Sequence, residues 1–262
     1  MDLSIILAAC LISLVGLPHG ALDPVIAHRY GLFKNIAGAM SFFILYLGIA
    51  FAIILFWLLL PETALIGFLI VSAFHFGRDW RHKLRFGGFG YGVVVLGLPA
   101  LLDPEATSLI FEFLLFQDSA KFSVTILQLL GLTGVALVFY DIRELSLLRI
   151  LEVCSLGLVA ALLSPLWYFV LYFCGFHSPR HLASEFQQIS KEKRLVAYIV
   201  ILLMTIITLV IAAIFGAYFE KYYDNIDVLI YQLTFIGLAG LTVPHICLLE
   251  WAARKEHASR EA

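Results

Sequence analysis

The sequence predicts an all-α integral membrane protein, a polytopic helical bundle of eight to nine transmembrane helices. Hydrophobic residues make up 62% of the 262 positions and charged residues 14%, whereas a soluble domain carries about 25% charged residues. The mean hydropathy is +0.97, and the longest apolar runs exceed the roughly 20 residues that cross the hydrocarbon of a bilayer. The sequence contains no soluble domain, so we expect one membrane domain to fill residues 1–262.

Nine apolar segments follow one another along the chain, and each is interpreted as a span. The second, eighth and ninth are long, whereas the first, third, fourth and seventh are short. The ends of the short spans are expected to lie within the bilayer or under protein-covered backbone. An ambiguous stretch, 105–117, is interpreted as a helix lying flat at the interface. The nine spans cover residues 3–18, 36–60, 62–76, 87–102, 121–140, 146–164, 165–178, 194–219 and 226–251.

Basic residues occupy alternate connections between these spans. With the N-terminus outside, the odd-numbered connections and the C-terminal tail hold all 17 Lys and Arg residues except Lys121 and Lys221. Cytoplasmic loops of membrane proteins carry such an excess, and a wrong span count would have mixed the two sets. We therefore expect a multi-pass protein of the cell (inner) membrane with a cytoplasmic C-terminus. Loop confinement also removes any need for a nucleic-acid partner.

Five of the eight histidines lie in apolar spans or at their ends, where an imidazole is costly to bury without a partner. Under the topology above they come from four separate spans and fall in one layer near the cytoplasmic side. Imidazole suits iron, copper, zinc and nickel, so this convergence predicts a metal or haem site. The five residues are His19, His75, His177, His181 and His245.

His177 and His181 are four residues apart, the spacing that places two side chains on one helical face. Pro179 lies between them and disfavours a regular helix. The sequence allows a kinked helix, with Gly175 leaving room, or a new helix that Ser178 caps.

Carboxylates follow four of these histidines at short spacing, three of them four residues later and one, after His245, five residues later. A metal-bound imidazole normally donates its other N–H to a carboxylate or carbonyl, so these acids are candidates to support the ligands. The alternatives are a helix N-cap for the first acid and pairing with nearby arginines for the second and third. The last is expected to be the most buried of the four. The acids are Asp23, Asp79, Glu185 and Glu250.

Several enzyme classes find no support in the sequence. It contains no H-E-x-x-H zinc motif, no glycine-rich phosphate loop and no G-x-S-x-G nucleophile elbow. Five histidines are also fewer than membrane di-iron desaturases use, which favours a single metal. No catalytic residue beyond the metal centre is expected.

The histidine-bearing segments together resemble a known family. Residues 16–24 read GLPHGALDP, 74–77 read FHFG, 173–181 read FCGFHSPRH, and Pro244 precedes His245. In order and separation these segments resemble the motifs of the Brp/Blh (bacteriorhodopsin-related-protein-like) membrane β-carotene 15,15′-dioxygenases. The resemblance extends over nearly the whole chain, and the motifs are specific as a set.

This resemblance implies an iron-dependent enzyme that splits β-carotene at its central double bond with O2. The products would be two molecules of all-trans-retinal, often destined for a microbial rhodopsin. The resemblance implies Fe(II) as cofactor, with His19, His75, His177 and His181 as its ligands. His245 is assigned to either the metal or the substrate.

The substrate implied by the resemblance is dissolved in membrane lipid, so it would enter sideways between helices. Four phenylalanines next to the proposed ligands are expected to line its tunnel, with ordinary helix packing as the alternative. They are Phe74, Phe76, Phe173 and Phe176.

Two other functions stay open at this point. A bis-histidine haem electron carrier explains imidazoles at one depth but leaves several of them without a role. A metal or proton transporter would stagger its polar residues across the membrane, whereas here they gather near one side.

Overall fold

The computed structural model describes residues 2–80 and 87–261, and this part of the chain is helical with no strand. The predicted all-α class is therefore confirmed. Residues 81–86, with three basic residues of the third connection, lie outside the described ranges. The α-helices are α1 (Leu3–Leu11), α2 (Asp23–Arg29), α3 (Ile36–Leu59), α4 (Pro61–Gly77), α5 (Gly87–Leu102), α6 (Pro104–Leu114), α7 (Lys121–Tyr140), α8 (Leu147–Leu162), α9 (Pro165–Tyr172), α10 (Ser178–Gln187), α11 (Arg194–Phe219) and α12 (Ile226–Glu261).

Five helical runs in the described ranges are long and apolar enough to cross a membrane. A sixth is added if α5 and α6, which meet at a bend of 108°, count as one broken span. The multi-pass character is thus supported, but the predicted count of nine is not confirmed. The five runs are Leu3–Arg29, Ile36–Leu59, Lys121–Tyr140, Lys191–Tyr222 and Ile226–Lys255.

The remaining predicted spans correspond to helices that are shorter than a full crossing. Helix α4 has 17 residues, α5 and α8 have 16 each, and α9 has 8. At about 1.5 Å per residue, a 16-residue helix is about 24 Å long, less than the roughly 30 Å hydrocarbon core. Prolines at 61, 104 and 165 stand at the first position of α4, α6 and α9, where proline lacks only an N–H that the helix does not use.

The chain divides into two compact units. Unit 1 comprises Met1–Leu59 and Ser178–Ala262, and unit 2 comprises Leu60–His177. The expectation of one domain over 1–262 stays a prediction.

Unit 1 has a buried apolar cluster that packs the region of α2 against α11 and α12. Burial of such side chains stabilises the folded state by about 1.5–3 kcal/mol each, so this cluster fixes the segment that continues from His19. Its buried members are Leu22, Ile26, Ala27, Ile189, Ala197, Ile201, Leu248 and Leu249.

In unit 2, helix α5 packs closely on two neighbours through glycines. A Cβ at Gly88 or Gly92 would overlap the backbone of Gly77 or Ala73 in α4, and one at Gly97 would overlap Gly131 in α7. Small residues at such crossings let helix backbones approach where apolar burial gives no advantage over lipid. The glycines of α5 therefore set the spacing of α4, which carries His75.

Helix α6 forms where the sequence left a span and an interfacial helix open. The Asp103 side chain accepts a hydrogen bond from the Ala106 N–H at 3.0 Å and so caps the helix that Pro104 begins. Beyond Leu114 the chain turns at Phe116 and Gln117, both with positive φ.

We expect Gly92→Ala to destabilise the protein by about 1–3 kcal/mol, because the added methyl group meets the Ala73 carbonyl. Gly67→Ala in α4 is the matched control, since a Cβ there meets nothing within 4 Å. Thermal unfolding of the detergent-purified variants measures the difference. Equal melting temperatures for the two variants would contradict the close crossing of α4 and α5.

Candidate metal centre

In unit 1, His19 follows a local widening of the first helical run. The Leu17 N–H donates to the Ile12 carbonyl, so residues Ile12–Gly16 form a π turn, and Leu17–Leu22 continue as a 3₁₀ helix. Pro18 supplies no N–H to a regular α-helical ladder. Single π turns of this kind are frequent at functional sites.

The carbonyls of this π turn are bonded by side chains. The Ser178 hydroxyl donates to the Val15 carbonyl at 2.8 Å and reaches the Gly16 carbonyl at 3.2 Å. The His19 Nδ1 also lies 2.5 Å from the Gly16 carbonyl. A carbonyl only accepts, so Nδ1 carries the proton and Nε2 has the lone pair that can bind a metal.

Three imidazoles of unit 1 form a triangle. The ring centroids of His19 and His181 are 5.6 Å apart, and His245 lies 5.3 Å from each. All three pairs meet nearly edge to face, at 81–86°. His19 and His245 are buried, and His181 is half-buried. The expected convergence of histidines therefore occurs among these three.

Asp23 contacts His245, not the histidine four residues before it. Its Oδ1 accepts from the His245 Nδ1 at 2.7 Å, and its Oδ2 accepts from the Tyr46 hydroxyl at 2.8 Å. The side chains of Asp23 and His245 are 2% and 3% exposed. With Nδ1 held by the carboxylate, Nε2 is the nitrogen that His245 presents to a ligand.

Unit 2 holds His75 and His177 in direct contact. Their Nε2 atoms are 2.9 Å apart, and the ring centroids are 4.6 Å apart at 71°. His177 is the last residue of a second π turn, Phe173–His177. Helix α10 then begins at Ser178 without a break in helical structure. A new helix beginning at Ser178 was one of the two arrangements that the sequence allowed.

Asp79 supports His177 as Asp23 supports His245. The His177 Nδ1 lies 3.1 Å from Asp79 Oδ2, which also accepts from the Tyr172 hydroxyl at 3.0 Å. The sequence spacing had linked Asp79 to His75, one turn earlier on the chain. In the structure, each of the two aspartates instead contacts a histidine from a distant segment.

Glu185 and Glu250 have other surroundings. Glu185 forms an ion pair with Arg29, with Oε2 and Nη2 2.7 Å apart, which is the alternative that the sequence had offered for it. Glu250 is exposed, so the expectation that it would be the most buried acid was wrong. Its position on α12 points it away from the buried face, which carries Leu248 and Leu249.

Two of the four candidate phenylalanines contact a histidine in unit 2. Phe76 meets His177 edge to face at 4.7 Å, and Phe173 stacks on it at 5.9 Å and 16°. Phe74 packs on Phe89 at 4.5 Å and is exposed, while Phe176 is half-buried. Their role in a substrate tunnel stays a prediction.

Sequence reasoning missed Tyr46 and Tyr172, whose hydroxyls complete the surroundings of the two aspartates. Neither lies at a fixed spacing from its acid, being 23 and 93 residues away. The one signal in the sequence for Tyr46 is a hydroxyl within a long apolar span, where a polar group needs a partner.

The residues present fit a divalent transition metal. Two nitrogens bound to one metal at about 2.1 Å and at a right angle lie about 3 Å apart, and the two Nε2 atoms in unit 2 are 2.9 Å apart. The donor set is imidazole with carboxylates behind it, which suits iron, zinc or copper over magnesium or calcium.

The fold and these residues define a class: multi-pass helical membrane proteins with buried, carboxylate-supported imidazoles. Residues 10–253 match the family model of β-carotene 15,15′-dioxygenase. A protein of an uncultured marine bacterium (66A03), named β-carotene 15,15′-dioxygenase, is 32% identical over 97% of this chain and 95% of its own length. No solved structure matches the chain. The chain belongs to the β-carotene 15,15′-dioxygenase family, and it is an oxidoreductase. The resemblance in the sequence is thereby confirmed.

We expect Arg29→Gln and Glu185→Gln each to lower the stability of the protein by about 1.5–3 kcal/mol, because each leaves a partly buried charge without its partner. The double variant should lose less than the sum of the two. Melting temperatures in detergent measure the effect, and Glu192→Gln, at an exposed position, is the control. Additive losses would show that the two side chains are not coupled.

Proposed function

We propose that this protein cleaves β-carotene at its central double bond with O2 in an iron-dependent reaction that yields two molecules of all-trans-retinal. The observation that carries the proposal is that the family match covers residues 10–253 and includes all five histidines singled out above. The relative's name supplies the substrate class and the bond position. One C=C bond and one O2 balance two aldehyde groups.

His19, His75, His177 and His181 are the proposed iron ligands, with His245 as a further ligand or a substrate contact. Support comes from the edge-to-face triangle in unit 1 and from the 2.9 Å nitrogen pair in unit 2. When bound, Fe(II) would supply a redox-active centre that brings O2 onto one double bond. Neutral imidazoles would leave the ion its full charge.

The protein's own contribution is to orient the imidazoles and exclude water. Asp23 and Asp79 hold the Nδ1 protons of His245 and His177, which fixes the tautomer and aims Nε2. Phe76 and Phe173 cover the ring of His177 with apolar surface. These contacts would keep the reacting bond in an apolar environment.

The substrate is proposed to reach this environment from the bilayer. A carotenoid is apolar and about as long as the roughly 30 Å hydrocarbon core, so a membrane enzyme can take it up directly from lipid. Central cleavage requires that the two halves of the molecule extend on either side of the metal. The four candidate phenylalanines are proposed to line this path.

The protein is proposed to lie in the cell (inner) membrane with its N-terminus outside and its C-terminus in the cytoplasm. The distribution of basic residues supports this orientation. Retinal released into the same membrane is proposed to supply a microbial rhodopsin as the downstream partner.

We expect cells that accumulate β-carotene to lose their orange colour and accumulate retinal when they express this protein with iron supplied. His75→Ala and His177→Ala should each abolish bound iron and retinal formation. His28→Ala is the matched control, because His28 is exposed on α2. Pigment extraction with chromatography and iron analysis of the purified proteins provide the readouts.

Full activity in either ligand variant would contradict the four-histidine assignment. Persistent β-carotene with iron-loaded protein would contradict the substrate. A reduced spectrum with Soret and α bands would instead indicate the haem carrier.

We expect Asp79→Asn to weaken iron binding by about 10–100-fold, the usual effect of removing a carboxylate behind a metal-bound imidazole. The amide offers a weaker acceptor to the His177 Nδ1–H. Asp141→Asn, at a buried acid that ends α7, is the control for loss of a buried carboxylate in the same unit. Competition with a coloured iron chelator measures the affinity, and equal affinities of the two variants would contradict a supporting role for Asp79.

A further inference from the structure

The two units repeat one arrangement of three side chains. In unit 1 the Asp23 carboxylate accepts from Tyr46 at 2.8 Å and from His245 at 2.7 Å. In unit 2 the Asp79 carboxylate accepts from Tyr172 at 3.0 Å and from His177 at 3.1 Å.

The likeness extends to the chain around each acid. Asp23 and Asp79 each follow a histidine by four residues, at His19 and His75, yet each bonds a histidine from a distant segment. Tyr46 comes from the following helix α3, whereas Tyr172 comes from the last turn of α9. Two different helices thus deliver a hydroxyl to the same place on a buried carboxylate.

A carboxylate held by an imidazole alone is loosely oriented. The torsion about the Cβ–Cγ bond of aspartate has a broad minimum, so a single donor leaves the carboxyl plane free to turn. A second donor on the carboxylate restricts that rotation. It also satisfies lone pairs that would otherwise be buried without a donor, which is costly.

We infer that Tyr46 and Tyr172 are positioning residues that hold Asp23 and Asp79 in the orientation required to aim His245 and His177. They act through the aspartates. This inference rests on the proposed function, because the imidazoles are taken to bind iron. It also treats His245 as the counterpart of His177, and therefore as a ligand.

The phenol hydroxyl of each tyrosine is the group to remove, and phenylalanine removes it while keeping the ring. The matched control is Tyr168→Phe, one turn before Tyr172 on α9. Tyr168 is buried, and its hydroxyl donates to the Val95 carbonyl at 3.0 Å. The control variant therefore also loses a buried hydrogen bond, but not one to an acid that contacts a histidine.

The experiment compares iron release from the purified, iron-loaded proteins to an excess of chelator. The visible ligand-field spectrum of the Co(II)-substituted proteins is the second readout, because it responds to ligand orientation. We expect Tyr46→Phe and Tyr172→Phe to lose iron about tenfold faster than wild type, near the low end of effects seen for groups behind metal ligands. Both should shift the Co(II) bands, and Tyr168→Phe should do neither.

Release rates and spectra equal to those of Tyr168→Phe would overturn the inference while leaving iron binding intact. A wild-type protein that holds no iron would overturn the proposed function and this inference with it. If Tyr46→Phe does not fold, Tyr172→Phe decides the question alone, since each unit is a separate instance. Failure of both to fold beside a folded Tyr168→Phe would assign the hydroxyls a structural role and overturn the inference.

Discussion

An imidazole within an apolar chain needs a fixed partner for its ring nitrogens, and this requirement organises most of what surrounds the histidines here. The partner of His245 is Asp23, and that of His177 is Asp79. A buried carboxylate is itself costly without donors, so each acid takes a tyrosine hydroxyl as well. The helices that carry these groups are held by the apolar cluster in unit 1 and by close glycine crossings in unit 2.

The helical path is distorted where it delivers a histidine. The π turn Ile12–Gly16 precedes His19, and the π turn Phe173–His177 ends at His177. A regular α-helix would use its carbonyls for its own ladder. In the first π turn, the Gly16 carbonyl accepts from His19 and Ser178 instead. Backbone irregularity inside a membrane protein is tolerated where side chains bond the displaced carbonyls, and here the same displacement gives His19 its acceptor.

The sequence was sufficient for the all-α class, for helix boundaries marked by proline, and for the set of histidines, because apolar runs and buried imidazoles leave a direct mark on composition. It also identified Asp23 and Asp79 as supporting acids, but it linked them to His19 and His75 by spacing. The contacts join residues 222 and 98 positions apart, which no local pattern encodes. The span count failed confirmation for a related reason: hydropathy does not reveal whether a 16-residue helix crosses the bilayer or ends within protein.

The π turn at Ile12–Gly16 also bears on how this chain tolerates change in length. A π turn contains one residue more than an α-helical turn, so deletion of one residue there would restore a regular helix while rotating everything beyond it by about 100°. His19 would leave the triangle with His181 and His245, although no functional side chain had been altered. Among relatives, insertions and deletions should therefore be found in the connections and not in this segment, whatever its side chains.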